Sequence, residues 1–320
     1  MQITLFVPDL DSFCANHSLQ RRLPALETLL AHARTQPVPD GNVILAGIFG
    51  MTAEQFVPAP FMRLADTGQH DSGFYFCADP VHLAADRDQL LMLPLSVMQV
   101  QMAEAAGLAA AFNRIYAVDG YWLETPQAGR WYLHYPDSLT CATLETAKVA
   151  GHAVFDFMPS GEDGPRLRQL INEIQMLFFE HPVNLARGAA GKPAINSLWL
   201  WGGGCLPEGP IQGPKHVVTN MPLVAGLARF SGSDCTNWPP KTAFQKGSGD
   251  MLIGINIEGE AEMVLLEEQA AVPLLRALRQ GQAGEVIMYP GNRQSYRLIP
   301  PNLRQFWRRR RPLSEMLGTT

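Results

Sequence analysis

Residues 181–204, HPVNLARGAAGKPAINSLWLWGGG, run from a polar, glycine-bearing linker into an apolar strand that stops on three glycines. A strand with no polar alternation has to be covered on both faces. Glycines at its end bring bare backbone N–H groups to whatever lies beyond, which is how α/β proteins hold anionic ligands. The chain around it must therefore supply layers.

It does so by alternating strands with helices at both ends. Ile3–Val7 (ITLFV) reads as a short buried strand ended by Pro8, with Asp9 and Asp11 behind it. Leu19–Ala33 has leucines at helical spacing, with Ser18 placed as N-cap. Val43–Phe49 reads as strand or strand-turn, and 57–72, rich in Pro, Gly and Asp, as loop. Phe74–Cys77 is a predicted strand, Val97–Ala117 a buried helix, and 121–135 a hairpin turning at 126–129. Pro165–Glu180 is an amphipathic helix that Pro182 ends or kinks. Strands are expected at 197–201, 216–219, 251–257, 285–289 and 294–299, with helices at 222–230 and 262–279. This pattern predicts an α/β fold: a mostly parallel sheet sandwiched by helices, with a smaller β-containing insertion. The core is assigned to 1–118 and 161–310, the insertion to 119–160 and a tail to 311–320.

The bulk numbers exclude several classes. A formal net charge of −5 gives no global basic field for nucleic acid or an anionic membrane. The one basic run, Arg308–Arg311 behind Trp307, reads as a solvated tail or helix end, or as a phosphate or partner site. Five widely spaced cysteines, an odd number with no C-x-x-C, point away from disulfides and zinc and toward a reducing cytoplasm. No apolar stretch approaches the ~20 residues of a membrane span.

Asn184 and Arg187 lie at i, i+3 if a helix resumes after Pro182, so an amide and a guanidinium can face one way. With Asn196, Trp199 and the N–H groups of Gly202, Gly203 and Gly204 they make a candidate pocket for a phosphate or carboxylate. The alternative is that Asn184 and Arg187 satisfy loop carbonyls and the glycines allow close packing. Cys205 is either a reactive thiol or a buried apolar residue. His70 with Asp71, and His82 with Asp79, are loop pairs without metal-site spacing.

Taken together, H-P-x-N-x-x-R at 181–187, Gly191-Lys192-Pro193 and INSLWLWGGG at 195–204 resemble the archaeal-type cofactor-independent phosphoglycerate mutases. ADPVHL at 78–83, RWYLHYPD at 130–137 and NEIQMLFFEHPVN at 172–184 look closer still to a bacterial offshoot, the Rpf-cluster regulatory protein E group. The resemblance implies an alkaline-phosphatase-like α/β core, two divalent metals and a Ser or Thr nucleophile at a helix start. Asp9 or Asp11 matches the first metal ligand. No histidine follows His216, however, and the ligand segments expected late in the chain read Asn256-Ile257-Glu258-Gly259-Glu260 and IMYPGNRQSY. Divalent ions need converging carboxylates and imidazoles.

The expectation is therefore a catalytically degraded mutase-like protein with no cofactor. It would bind a small phosphorylated or carboxylate metabolite, or a protein partner, in a regulatory role in the cytoplasm. Neither nucleic acid nor membrane is expected as a partner. The alternatives are a phosphomutase or phosphatase using Mn or Mg on Asp9, Asp11, Glu258 and Glu260, and an interaction protein without a small ligand.

Overall fold

The structure is a computed structural model and describes residues 1–17, 21–86, 89–93, 95–240, 249–305 and 307–317. It contains two compact units, Met1–Phe56 with Gly209–Thr320, and Val57–Glu208.

The first unit is built on a seven-stranded sheet in the order Asp234–Asn237, His216–Thr219, Met251–Gly254, Gln2–Phe6, Glu285–Tyr289, Gln294–Leu298, Arg34–Pro37. The first five are mutually parallel; the last two add antiparallel at one side. Short apolar strands such as ITLF alternate their side chains between two covered faces. On one face, Ile3 and Leu5 join a core with Leu26, Leu29 and Leu30 of the helix Pro24–His32 and with Leu274 and Leu278 of Val272–Arg279. On the other, Phe6 lies against Gly41 of the helix Gly41–Ile48, and Gly254, its register partner, against Val224 of Pro222–Ser231. The sheet is thus sandwiched by helices.

The helical run from Glu260 to Arg279 contains a π-turn over Leu266–Ala271. There the buried Glu267 sends both carboxylate oxygens to the N–H groups of Ala25 and Leu26, at 2.6 and 2.8 Å. The helix Pro24–His32 needs this, because its own N-cap is Leu23, which has no side-chain acceptor.

The second unit has a four-stranded antiparallel sheet in the order Trp122–Gln127, Arg130–Tyr135, Phe74–Val81, Ser197–Gly204. The helices Met102–Tyr116 and Gly164–Phe179 share its core through Leu108, Phe112, Leu167, Ile171 and Phe178.

Several expectations change. Val43–Phe49 belongs to a helix, Gly41–Ile48, whose Asp40 accepts from the Asn42 N–H at 3.0 Å. Within 57–72, Pro58–Thr67 is a helix, with Pro58 at its first turn and Gly68 (φ 72°) ending it, so these are boundary signals and not loop signals. A helix, Leu10–Asn16, takes up the residues after Asp9. The predicted start at Ser18 and Leu19 lies outside the described residues; the helix there begins at Pro24. Pro182 starts a new helix, Pro182–Ala189. The strand Ser197–Gly204 does not stop before its glycines, and it pairs antiparallel with Phe74–Val81 as a member of the four-stranded sheet. Residues 119–160 lie within the unit Val57–Glu208. Leu313–Leu317 of the tail is helical. Among the described residues no helix is long and apolar enough to cross a membrane, and all five cysteines are free.

Candidate functional site

The residues that carry the family resemblance are occupied with the second unit's own backbone. Asn184 is buried; its Nδ2 donates to Phe178 O and Ile195 O at 2.7 and 2.8 Å, and its Oδ1 accepts from Ile195 N at 2.7 Å. Arg187, 1% exposed, donates to Pro193 O at 2.7 Å, to Met98 O, and to the Glu104 carboxylate at 2.7 Å. Asn196 pairs both ways with the backbone of Leu83, at 2.8 and 2.9 Å, as a strand residue would. Trp199 is buried and donates Nε1–H to Leu144 O at 2.7 Å.

The glycines answer to space. Gly202 has φ +66° and donates its N–H to Thr143 Oγ1 at 3.2 Å. A Cβ on Gly203 would fall 2.3 Å from the Phe76 ring, and one on Gly204 2.7 Å from Val57. Such close approach admits no side chain. Asn184 and Asn196 thus satisfy backbone groups, Arg187 divides its donors between carbonyls and Glu104, and Gly203 and Gly204 permit close packing.

The histidine and carboxylate pairs are likewise internal. Asp71 accepts from Arg63, Tyr75 and the Gly73 N–H. Burial pushes its pKa up, but these three partners outweigh burial and hold it below the ordinary value. His82 bonds Ala194 O at 2.8 Å and does not pair with Asp79, which is buried and accepts from the Thr146 hydroxyl and, at 2.7 Å, from Trp201 Nε1–H.

 Desolvation raises the Asp79 pKa. Cys205 follows the strand rather than opening a helix, and burial raises its thiol pKa, so it is not an activated thiolate.

The first unit offers a different place. Ligands of parallel α/β sheets bind beyond the carboxyl ends of the strands. Asp9 and Asp11 follow Gln2–Phe6, Asn256 and Glu258 follow the neighbouring Met251–Gly254, and Gly291 and Asn292 follow Glu285–Tyr289 on the other side. Asn220 follows His216–Thr219 and braces Asn256 through its backbone, at 2.7 and 3.0 Å. A Cβ on Gly291 would lie 2.4 Å from Asp11 Oδ1. The segments that depart from the mutase pattern therefore gather with Asp9 and Asp11 at one sheet edge. The helix start against Phe6 reads Asp40-Gly41-Asn42, without a hydroxyl or thiol.

This donor set does not fit two divalent ions. Amides and glycine stand where carboxylates and imidazoles are needed, and among the described residues no three His, Cys, Asp or Glu side chains group to hold a metal. Two polar atoms near the strand ends are instead orphaned: Asn292 Oδ1 and Trp238 Nε1 are buried without a hydrogen-bond partner among the described residues. Such atoms cost stability unless water or a ligand fills them. Sequence reading missed Asn220 and Trp238, since neither belongs to a motif.

Comparison with known proteins points to one enzyme class. No model of a known protein family matches the chain. It is 26% identical over 197 residues to a probable 2,3-bisphosphoglycerate-independent phosphoglycerate mutase of Geobacter sulfurreducens, covering 59% of this chain and 47% of that one. It is 28% identical over 122 residues to the corresponding mutase of Methanosarcina acetivorans, covering 37% and 29%. The sequence is mutase-like. The chain spans about half or less of the length of these curated relatives. A solved protein from Pyrococcus horikoshii shares the fold at a TM-score of 0.51 and 15% identity, over 90% of this chain and 80% of that one.

Proposed function

We propose that this mutase-like chain has lost metal-dependent phosphoryl transfer and acts as a cytoplasmic binding protein with a regulatory role. Its ligand would be a small phosphorylated or carboxylate metabolite, or a protein partner. The observation that carries this reading is the edge beyond Gln2–Phe6, where Asp9, Asp11 and Glu258 stand with Asn220, Asn256 and Asn292, and where no three His, Cys, Asp or Glu side chains among the described residues group to hold a metal. Phosphoryl transfer without metal charge or a nucleophile has nothing to stabilise its transition state. The regulatory role rests on the resemblance to the Rpf-cluster group.

Metal analysis of the purified chain, with thermal shift in Mn, Mg and 3-phosphoglycerate and a mutase assay, tests it. The expected result is substoichiometric metal and no interconversion of phosphoglycerates. Two metals per chain with turnover lost in Asp9→Asn overturns it. One bound Mn or Mg with activity lost in Asp11→Asn selects the rearranged enzyme, whose ligands would come from Asp9, Asp11, Glu258 and Glu260.

A further inference from the structure

The first unit contains a cleft of about 790 Å³ lined by Arg22, Arg279, Arg308, Arg309 and Arg310, with Glu27 as its one carboxylate. Glu27 is taken up by Arg22, which donates to it from Nε and Nη2 at 2.5 and 2.7 Å. Four guanidinium groups remain without that neutralisation, in a chain whose formal net charge is −5. Among the described residues, Arg279, Arg308, Arg309 and Arg310 form no ion pair.

Helix capping accounts for part of this. Arg308 Nη1 donates to Ala31 O and Ala33 O, at 3.4 and 2.5 Å, and so closes the end of Pro24–His32. Arg279 sits in the last turn of its own helix, where a cation is favoured. Neither role explains Arg309 and Arg310, which are exposed and line the same cleft. Like charges gathered this closely repel, and a bound anion relieves the repulsion.

We propose that this cleft binds a small molecule carrying two or more phosphate groups. All its cations are arginine, whose planar fork matches phosphate oxygens in pairs. Arg308 is fixed in advance by the carbonyls it caps, so little order is lost on binding. The volume suits a small molecule. A long polyanion is disfavoured, because Glu268 beside Arg21 at 3.7 Å and Glu315 acting on Arg22 place negative charge at the margin. The cleft's lining shares no residue with the sheet edge, and the proposal would stand even if the chain proved catalytic.

Calorimetry and thermal shift on the full chain at low ionic strength, with inorganic tripolyphosphate as probe, test this. Saturable binding is expected, much tighter than for orthophosphate and weakened by salt. Arg309→Ala and Arg310→Ala should each weaken it about tenfold, with Lys at either position costing less. Both side chains are exposed, and an unchanged melting temperature without ligand confirms that the variants fold. Unchanged affinity in Arg309→Ala/Arg310→Ala overturns the proposal, as does tighter binding of a single-stranded oligonucleotide than of tripolyphosphate. Affinity lost in Asp9→Asn but kept in the arginine variants places the anion at the sheet edge, which overturns this proposal and leaves the binding reading of that edge intact.

Discussion

Asn184 and Ile195 are joined by a reciprocal pair of hydrogen bonds: the Asn184 Nδ2 donates to Ile195 O at 2.8 Å, and the Ile195 N–H donates to Asn184 Oδ1 at 2.7 Å. The side chain thereby acts as a strand edge, and its second amide bond, to Phe178 O at 2.7 Å, ties in the end of the helix Gly164–Phe179. Asn184→Ala strands three buried backbone groups and should cost on the order of 3 kcal/mol. Urea unfolding measures it, and anion binding by the folded variant should be unchanged.

Gly203 answers to the Phe76 ring, which leaves no room for a Cβ. Gly203→Ala is expected to lower stability by about 1–3 kcal/mol through overpacking. Adding Phe76→Leu should recover part of that loss. A melting-temperature series on the two single variants and the double checks this, and strict additivity would refute it.

Asp79 makes the second unit's stability depend on pH. Its pKa is raised, chiefly by desolvation, so the folded chain holds the proton longer than the unfolded chain. This contribution is fully present below the unfolded value, about pH 4, and is lost as pH rises through the folded pKa. Asn in its place still accepts from Thr146 and Trp201. Asp79→Asn should therefore melt higher than the parent at pH 7, with the gap narrowing toward pH 4.

Glu267 caps a helix that is distant in sequence. Glu267→Ala removes both acceptors from Ala25 and Leu26 and should destabilise the first unit by about 1–2 kcal/mol. Glu267→Gln, which keeps one acceptor, should lose less. Guanidinium unfolding followed on the first unit distinguishes the two.

The sequence by itself determined the α/β alternation, because ITLF, HVVT and EVIMY are short apolar runs that only buried strands accommodate, and the leucines of Pro24–His32 and Gly164–Phe179 repeat at helical spacing. It also showed the departure from the mutase pattern, since the presence of histidine or asparagine needs no coordinates. Local signals misled where one residue type serves two ends. Pro58 and Gly68 bound a helix in the same way that they would punctuate a loop.

Only the tertiary structure decided what HPVNLAR and GGG do. Whether an amide meets a ligand or a carbonyl depends on which backbone lies within 3 Å, and Ile195, Phe178 and Phe76 are brought there by the fold. The sheet order likewise decided that Asp9, Asn256 and Asn292 share one edge, because neighbours in a parallel sheet are set by crossover connections and not by sequence distance. The arginine cleft has the same origin: Arg22, Arg279 and Arg308–Arg310 come from three separate parts of the chain, and packing alone put their charges together.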